Sequence, residues 1–177
     1  PQKISTLDAY LSDIEKKHGS SGFFRVGATT ESDERLPTGI FGLDLALGGG
    51  VTKGKMVSLS GSTGGGKSSL TTLIAAQAQR EGGKVVYIDL ERAFNEDWAR
   101  SYGVDLDQLV RLYPESAEEA LQLLKDLVQT DAAVVILDSV AGLTPEAVSQ
   151  GDMGDEHVAR LPRLLSRAIP QVIEATA

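Results

Sequence analysis

Residues 61–68 read GSTGGGKS and stand between a strand-like run and a helix-like run. They fit the pattern G-x-x-x-x-G-K-S/T in the strand-then-helix context that makes a phosphate-binding loop credible. Glycines let successive backbone N–H groups curl around a phosphate, and the N-terminus of the following helix adds a partial positive charge. A plain glycine-rich turn would need neither the lysine nor the hydroxyl residue after it. The segment therefore predicts a nucleoside triphosphate site in an α/β domain.

The predicted phosphate contacts come from this loop and from the first turn of the helix after it. We expect Lys67 to reach the β and γ phosphate oxygens and the Ser68 hydroxyl to serve Mg²⁺. The predicted nucleotide-binding residues of this stretch are Gly61, Ser62, Thr63, Gly64, Gly65, Gly66, Lys67, Ser68 and Ser69.

Strand-like and helix-like segments alternate along the rest of the chain. Strands are predicted at 55–61, 84–90, 109–113 and 132–138, and helices at 66–80, around 94–102, and after a capping box at Ser116-Ala-Glu-Glu119. This alternation predicts a mostly parallel sheet with helices on both faces.

An amphipathic helix is predicted at residues 5–18, ahead of this alternating region. A stretch rich in glycine, serine and charge follows it, so we expect a helix and linker at 1–35 and a core domain at 36–177. The apolar face of the helix could pack on its own domain or on a neighbouring subunit. Its apolar positions are Ile4, Leu7, Leu11 and Ile14.

Two acidic residues follow predicted strands. Asp138 ends the buried run VVILD, where open α/β sheets bind ligands, and it matches the aspartate on the Mg²⁺ side of phosphate-loop enzymes. Glu91 follows YIDL and could orient and deprotonate an attacking water. The alternatives are an ordinary turn aspartate at 138 and a surface glutamate paired with Arg92. Asp89 competes with Glu91 for the role of base.

Composition excludes several other classes of protein. The chain has no cysteine and two distant histidines, so disulfides and a zinc centre are not expected. The longest apolar run, at 132–137, is far shorter than a membrane helix, and no leader-like segment opens the sequence, so we expect a cytoplasmic protein without membrane contact. A net charge of −8 requires any nucleic-acid contact to be local.

Several longer segments are typical of one family. LSDIEKKHG, LPTGIFGLDLALGGGVTKGKMVSLSG, the phosphate loop, VVYIDLERAFNEDWARSYGVDLDQL and VVILDSVAGLTPEA occur in the order in which they occur in the ATPase core of RecA-type DNA strand-exchange recombinases. The chain resembles this family over nearly all of its length. The sequence differs from the usual family pattern inside the phosphate loop and at Arg92, where a histidine is usual. These differences suggest a divergent member of the family, such as a viral one.

The resemblance implies ATP and Mg²⁺ as cofactors. It implies that Glu91 and Lys67 are catalytic and that Ser68 and Asp138 lie on the metal side. It also places Trp98 against the adenine with Asn95 beside it, although a lone tryptophan on a helix is often a core residue.

The resemblance further implies a DNA contact after residue 147. Residues 148–157 resemble a mobile DNA-binding loop, in which Met153 could press against bases. If the next segment is helical, Arg160, Arg163 and Arg167 share one face and form a basic stripe for a phosphate backbone. The alternative is a solvated arginine face neutralised by nearby acids. Pro162 and Pro170 predict a kink or break in that helix.

These features predict an ATP-dependent recombinase that forms filaments on single-stranded DNA, with the N-terminal helix packing on the neighbouring subunit. The alternatives are a ring-forming motor or clock-type ATPase with the same core, and an ATP-gated interaction module without turnover. The core looks truncated at its C-terminal end. We expect a chain that stops at residue 177 to bind nucleotide and to hydrolyse it poorly.

Overall fold

The structure is a computed structural model of the chain, and it describes residues 12, 16, 17, 34–143 and 160–176. The chain divides into two compact units, Pro1–Asp33 and Glu34–Ala177. In the first unit, residues 12, 16 and 17 are helical, and the rest of the helix predicted at 5–18 lies outside the described residues. Within the described part, no helix is both long enough and apolar enough to cross a membrane.

The second unit contains strands and helices in the predicted alternating order. Its elements are β1 Arg35–Leu36, α1 Phe41–Ala46, β2 Val51–Thr52, α2 Lys67–Arg80, β3 Lys84–Asp89, α3 Glu96–Ser101, β4 Leu109–Leu112, α4 Ala117–Leu127, β5 Ala132–Asp138, a 3₁₀ turn Val140–Gly142, and α5 Arg160–Thr176. β1 and β2 form a small antiparallel pair. The main sheet is parallel, with the strand order β4-β3-β5.

Helices cover both faces of this sheet, and β3 is therefore buried on both sides. Val85 and Tyr87 point to one face and pack with α2 residues such as Ala75. Ile88 points to the other face and packs with Leu124 of α4 and Val172 of α5. The predicted parallel α/β architecture is therefore confirmed. Its register brings the carboxyl ends of β3 and β5 together, with Asp89 opposite Asp138.

The prediction of a strand at 55–61 is wrong. These residues belong to neither sheet, and residues 53–66 are all exposed. Met56, Val57 and Leu59 expose 41%, 51% and 37% of their surface, which is far from the burial expected of a central strand. Side-chain pattern indicates a capacity to form a strand, whereas a strand exists only when the backbone pairs with a neighbour.

The capping box that begins α4 is confirmed in part. The Ser116 hydroxyl accepts a hydrogen bond from the backbone N–H of Glu119 at 3.1 Å, as predicted. The Glu119 carboxylate, however, accepts from the N–H of Glu115 at 2.8 Å, one residue earlier than in the standard box.

Pro162 and Pro170 predicted a kink or a break in this helix, and a break is not observed, because α5 is continuous from Arg160 to Thr176. Pro162 lies in the first turn, where its missing N–H has no acceptor within the helix. Pro170 lies inside the helix and removes one backbone hydrogen bond, but the burial of Val172 against α4 holds that part of the helix in place.

Candidate nucleotide-binding site

The glycine-rich loop at 61–66 adopts a backbone that requires glycine at two positions. Gly64 and Gly66 have φ values of 75° and 84°, in the left-handed region that other residues rarely adopt. Between them, the Gly65 N–H donates to the Ser62 carbonyl at 3.1 Å. Gly66 is the N-cap of α2, so the loop leads directly into the N-terminus of a helix of 14 residues. This is the arrangement that favours an anionic ligand.

Lys67, the first residue of α2, turns back over this loop. Its ammonium group donates to the carbonyl of Gly61 at 3.1 Å and to the carbonyl of Ser62 at 2.9 Å. The positive charge therefore lies at the loop, where a phosphate would need it.

Ser68 connects the loop to the main sheet. Its hydroxyl donates to the Oδ2 atom of Asp138 at 2.6 Å, across 70 residues of sequence. Asp138 ends β5 and is half-buried. The structure thus brings together two residues that we assigned to the magnesium side on separate grounds, and the short distance is typical of a hydroxyl bound to a charged carboxylate.

Tyr87 of β3 also binds Asp138. Its phenolic hydroxyl donates to the same Oδ2 atom at 2.6 Å, and only 2% of the residue is exposed. Burial raises the pKa of Tyr87 well above its usual value, and the hydrogen bond to Asp138 and the negative charge of that carboxylate raise it further. A tyrosine is protonated at neutral pH even at its usual pKa of about 10, so the Tyr87 hydroxyl is able to donate to Asp138.

Glu91 lies next to this cluster. The backbone N–H of Leu90 donates to the Asp138 carbonyl at 3.0 Å, which draws the segment after β3 toward the end of β5. The Ser139 hydroxyl donates to the Oε1 atom of Glu91 at 2.5 Å. A Cβ atom added at Gly142 would lie 3.3 Å from the Glu91 Cγ atom, so the 3₁₀ turn approaches this side chain closely.

The alternatives for Glu91 have other partners in the structure. Asp89 is 3% exposed, and its carboxylate accepts the backbone N–H groups of Ala93 and Phe94 at 3.2 and 3.1 Å. The Arg92 guanidinium lies over the ring of Tyr113, 5.8 Å from its centroid. Asp89 therefore stabilises the turn after β3, while Glu91 is exposed to solvent and able to meet a ligand.

Trp98 is 55% exposed, so its alternative assignment as a core residue is wrong. It lies on α3 and packs edge-on against Tyr102, with ring centroids 5.8 Å apart. The Oδ1 atom of Asn95 caps this helix by accepting the Trp98 N–H at 2.9 Å. An exposed indole is available for stacking, and the predicted adenine contact of both residues stays a prediction.

The predicted DNA-binding residues are only partly described. Met153 and the loop at 148–157 lie outside the described residues. Arg160 begins α5, and Arg163 and Arg167 are exposed on the same helix at the predicted spacing. Leu161, Leu164, Leu165 and Ala168 pack toward α4 and β5 instead. The condition that the arginines lie on one helix is met.

The residues present fit a magnesium ion. A serine hydroxyl and a carboxylate are hard oxygen ligands, which Mg²⁺ prefers, and this ion usually takes only one or two protein ligands besides water and phosphate. In the described ranges no group of three or more His, Cys, Asp or Glu side chains could hold a metal. A site built on Ser68 and Asp138 suits an ion that arrives with a nucleotide.

The sequence analysis missed two residues of the site, Tyr87 and Ser139. A signal for Tyr87 was present, because a tyrosine inside the buried run VVYID must find a partner for its hydroxyl. Ser139 directly follows Asp138, so it shares the carboxyl end of the same strand. Which acceptor each hydroxyl finds depends on strand pairing, which the sequence alone did not fix.

A parallel sheet with helices on both faces, a glycine-rich loop before α2, and a serine–aspartate contact at the end of β5 define the P-loop NTPase class of α/β proteins. Comparison with known proteins narrows this class. The family model described as the RecA N-terminal domain matches residues 5–176, so the chain belongs to the RecA N-terminal domain family.

The chain is also similar in sequence to individual proteins named RecA. The chain is 40% identical over 172 residues to Protein RecA of Streptomyces coelicolor, covering 96% of the chain and 46% of that protein. It is 39% identical over 180 aligned positions to Protein RecA of Bifidobacterium longum, covering 100% and 45%. It is 38% identical over 179 positions to Protein RecA of Herpetosiphon aurantiacus, covering 100% and 50%. The chain spans about half the length of the curated relatives it matches.

Proposed function

We propose that the chain forms the ATP-binding core of a DNA recombinase that assembles on single-stranded DNA and promotes homologous pairing and strand exchange. The observation that carries this proposal is the 2.6 Å hydrogen bond between Ser68 of the phosphate loop and Asp138 at the end of β5. Membership of the RecA N-terminal domain family and the similarity to proteins named RecA support it. The activity of the whole recombinase is part of the proposal.

In this proposal the loop N–H groups and the N-terminus of α2 bind the phosphates of ATP. Lys67 leaves the carbonyls of Gly61 and Ser62 and donates to phosphate oxygens instead. Ser68 and Asp138 hold Mg²⁺, which when bound neutralises charge on the phosphate oxygens. Trp98 and Asn95 meet the adenine.

Glu91 acts as the base in the proposed hydrolysis. Its carboxylate is exposed and held by the Ser139 hydroxyl, which leaves oxygen lone pairs able to accept a proton from water. A bond of this kind fixes the direction of the side chain without removing its charge. Glu91 would then orient and deprotonate the attacking water.

The proposed partners are single-stranded DNA and further copies of the chain. Arg160, Arg163 and Arg167 would contact the DNA backbone, and Met153 its bases. The helix and linker at 1–35 would pack on a neighbouring subunit, and 36–177 would form the ATPase core. The proposed location is the cytoplasm.

The test is ATP hydrolysis with and without single-stranded DNA, for the wild type and for Glu91→Gln. We expect DNA to stimulate hydrolysis, and we expect Glu91→Gln to lower kcat by about 10²–10⁴-fold, the usual contribution of a general base. ATP affinity should stay within a factor of about two to three, because the variant keeps the shape of the side chain and the phosphate contacts do not involve it. Glu174→Gln, at an exposed position of α5, removes a matched charge and should leave hydrolysis unchanged.

Each of the other outcomes would favour a different function for the chain. Turnover that DNA does not stimulate, together with hexamers in solution, would favour the ring-forming ATPase. Tight ATP binding without turnover would favour the interaction module. Absence of ATP binding by the wild type would contradict all three.

A further inference from the structure

The Oδ2 atom of Asp138 accepts two hydroxyl groups, and only one of them belongs to the proposed nucleotide site. Ser68 and Tyr87 both donate to it at 2.6 Å. The Ser68 hydroxyl has one proton, which lies in the hydrogen bond to Asp138, so the lone pairs of its oxygen stay available for a metal ion. Neither hydrogen bond involves the Oδ1 atom. The second donor, Tyr87, is the unexplained member of the group.

Tyr87 is held more rigidly than the other members of this group. It is 2% exposed and lies inside β3, hydrogen-bonded into the sheet between β4 and β5. Its ring packs edge-on against Phe94, with centroids 4.8 Å apart and an angle of 67° between the planes. A buried ring in this setting has little rotational freedom, so its hydroxyl is a fixed point from which the Asp138 carboxylate can be oriented.

The side chains of Asp138 and Ser68 lack this rigidity on their own. Asp138 is half-buried at the last position of β5, and Ser68 is exposed at the start of α2. A free carboxylate can rotate about its side-chain bonds, and a metal-binding carboxylate is effective only when hydrogen bonds orient it. The backbone of Asp138 is held in the sheet by the pairing of β5 with β3, and the contact with Tyr87 ties its carboxylate to the buried ring.

We propose that Tyr87 is a positioning residue for magnesium, acting through Asp138; this inference rests on the proposed ATP–Mg²⁺ site. Its hydroxyl fixes the Asp138 carboxylate so that Oδ2 receives Ser68, and Oδ1, which neither hydrogen bond uses, would be left to hold the metal ion. Tyr87 contacts neither nucleotide nor metal. Its effect is on the concentration of Mg²⁺ that the site requires.

The test is equilibrium binding of ATP to Tyr87→Phe, measured by calorimetry over a range of Mg²⁺ concentrations and again in excess EDTA. Phenylalanine keeps the ring and its packing on Phe94 and removes only the hydroxyl. We expect the Mg²⁺ concentration for half-maximal tightening of ATP binding to rise about tenfold, the lower end of the usual effect of groups that orient metal ligands. ATP affinity in EDTA should be unchanged, because the phosphate contacts of the loop are intact.

Tyr113→Phe is the matched control. Tyr113 follows β4 and packs beneath Arg92 and Arg111, on an exposed part of the sheet edge. Loss of its hydroxyl should leave both the Mg²⁺ requirement and the affinity in EDTA unchanged. A rise in Mg²⁺ requirement for Tyr87→Phe alone therefore supports the proposal. An unchanged requirement, or an equal loss of affinity with and without Mg²⁺, overturns it.

Asp138→Asn supplies a second, independent test. If Tyr87 acts through Asp138, adding Tyr87→Phe to Asp138→Asn should cause no further rise in Mg²⁺ requirement, because coupled residues are not additive. A further tenfold rise in the double variant would show another route and would overturn the proposal. Failure of the proposed function is distinguishable from either result, because wild-type protein would then bind no ATP under any metal condition.

Discussion

At the scale of single residues, the site is organised by hydroxyl groups that donate to carboxylates. Asp138 accepts Ser68 and Tyr87, and Glu91 accepts Ser139. These bonds hold each carboxylate in one direction while leaving it charged, and hydrogen bonds to charged groups contribute more than neutral ones, about 1.5–3 kcal/mol each. Small side chains beside the two acids should therefore have large effects on activity.

Ser139→Ala tests this for Glu91. Removing the hydroxyl frees the carboxylate to rotate, so we expect kcat for ATP hydrolysis to fall about tenfold, in proportion to one hydrogen bond to a charged group. KM should stay within a factor of about two, because the phosphate contacts of the loop are unaffected. Steady-state kinetics with saturating single-stranded DNA gives both values.

Ser166→Ala is the control for that experiment, because the Ser166 hydroxyl donates to a carbonyl of its own helix, that of Arg163 at 3.0 Å. It should leave kcat unchanged. A fall in kcat that is accompanied by a lower Tm for Ser139→Ala would indicate a structural role for this hydroxyl. An unchanged kcat would show that the hydroxyl does not position Glu91.

The sequence was most informative at this scale where chemistry is local. Lys67 and Ser68 follow from a continuous motif, and the structure places both at the loop. Asp138 and Glu91 follow from strand ends, which parallel pairing brings to one edge. Tyr87 and Ser139 could not be assigned, because their roles depend on distances between side chains that are 51 and 48 positions apart.

At the scale of elements, the sequence predicted the three strands of the parallel sheet, β3, β4 and β5. β3 and β5 have continuous apolar runs, and their pairing is observed. The run at 55–61, in which serines interrupt the apolar residues, was also predicted to be a strand, yet it is exposed and outside the sheets. The difference is the availability of a pairing partner, which is a property of the assembled sheet and leaves no trace in the run itself.

The helix α1 offers a prediction about pH. The Oδ1 atom of Asp44 accepts the Thr38 hydroxyl at 2.6 Å and the Thr38 N–H at 2.7 Å, tying α1 to the segment before it. The Thr38 hydroxyl, followed by the Thr38 N–H, lowers the pKa of Asp44 from its usual value of 3.8. Stability from this contact is therefore present above that value and is lost as pH falls through the lowered pKa of the folded state.

Asp44→Asn should accordingly lower Tm at pH 7, and the difference from the wild type should narrow as pH falls below 3.8. Thermal unfolding between pH 7 and pH 2, followed by circular dichroism, measures this. Asp107→Asn, at an exposed position, should show little difference at any pH. A constant difference in Tm across the range would mean that the Asp44 charge makes no contribution.

At the scale of the whole molecule, the net charge of −8 bears on the proposed contact with DNA. Unfocused negative charge repels phosphates, so attraction must come from a local cluster of cations. The α5 helix carries Arg160, Arg163 and Arg167, and it turns its leucines toward α4. Its two described arginine side chains, at 163 and 167, are exposed.

Replacing these three arginines by alanine should weaken binding to single-stranded DNA and reduce its dependence on salt. Three lost phosphate contacts, at about 0.7 each for single strands, would make the slope of log affinity against log salt less steep by about 2. Fluorescence anisotropy over a salt series gives the slope. Replacing Lys55, Arg80 and Lys84 by alanine removes the same charge elsewhere and should leave the slope unchanged. A slope unaffected by the arginine changes would exclude their contact with DNA.

The position of the Lys67 ammonium group bears on the affinity of the proposed nucleotide site. Two of the three N–H donors of the ammonium group bind backbone carbonyls of the protein itself. An incoming phosphate must compete with the protein's own main chain for that cation, so the observed affinity is the difference between two sets of bonds. Loosening the lysine from its carbonyls would strengthen nucleotide binding without adding a single contact to the nucleotide.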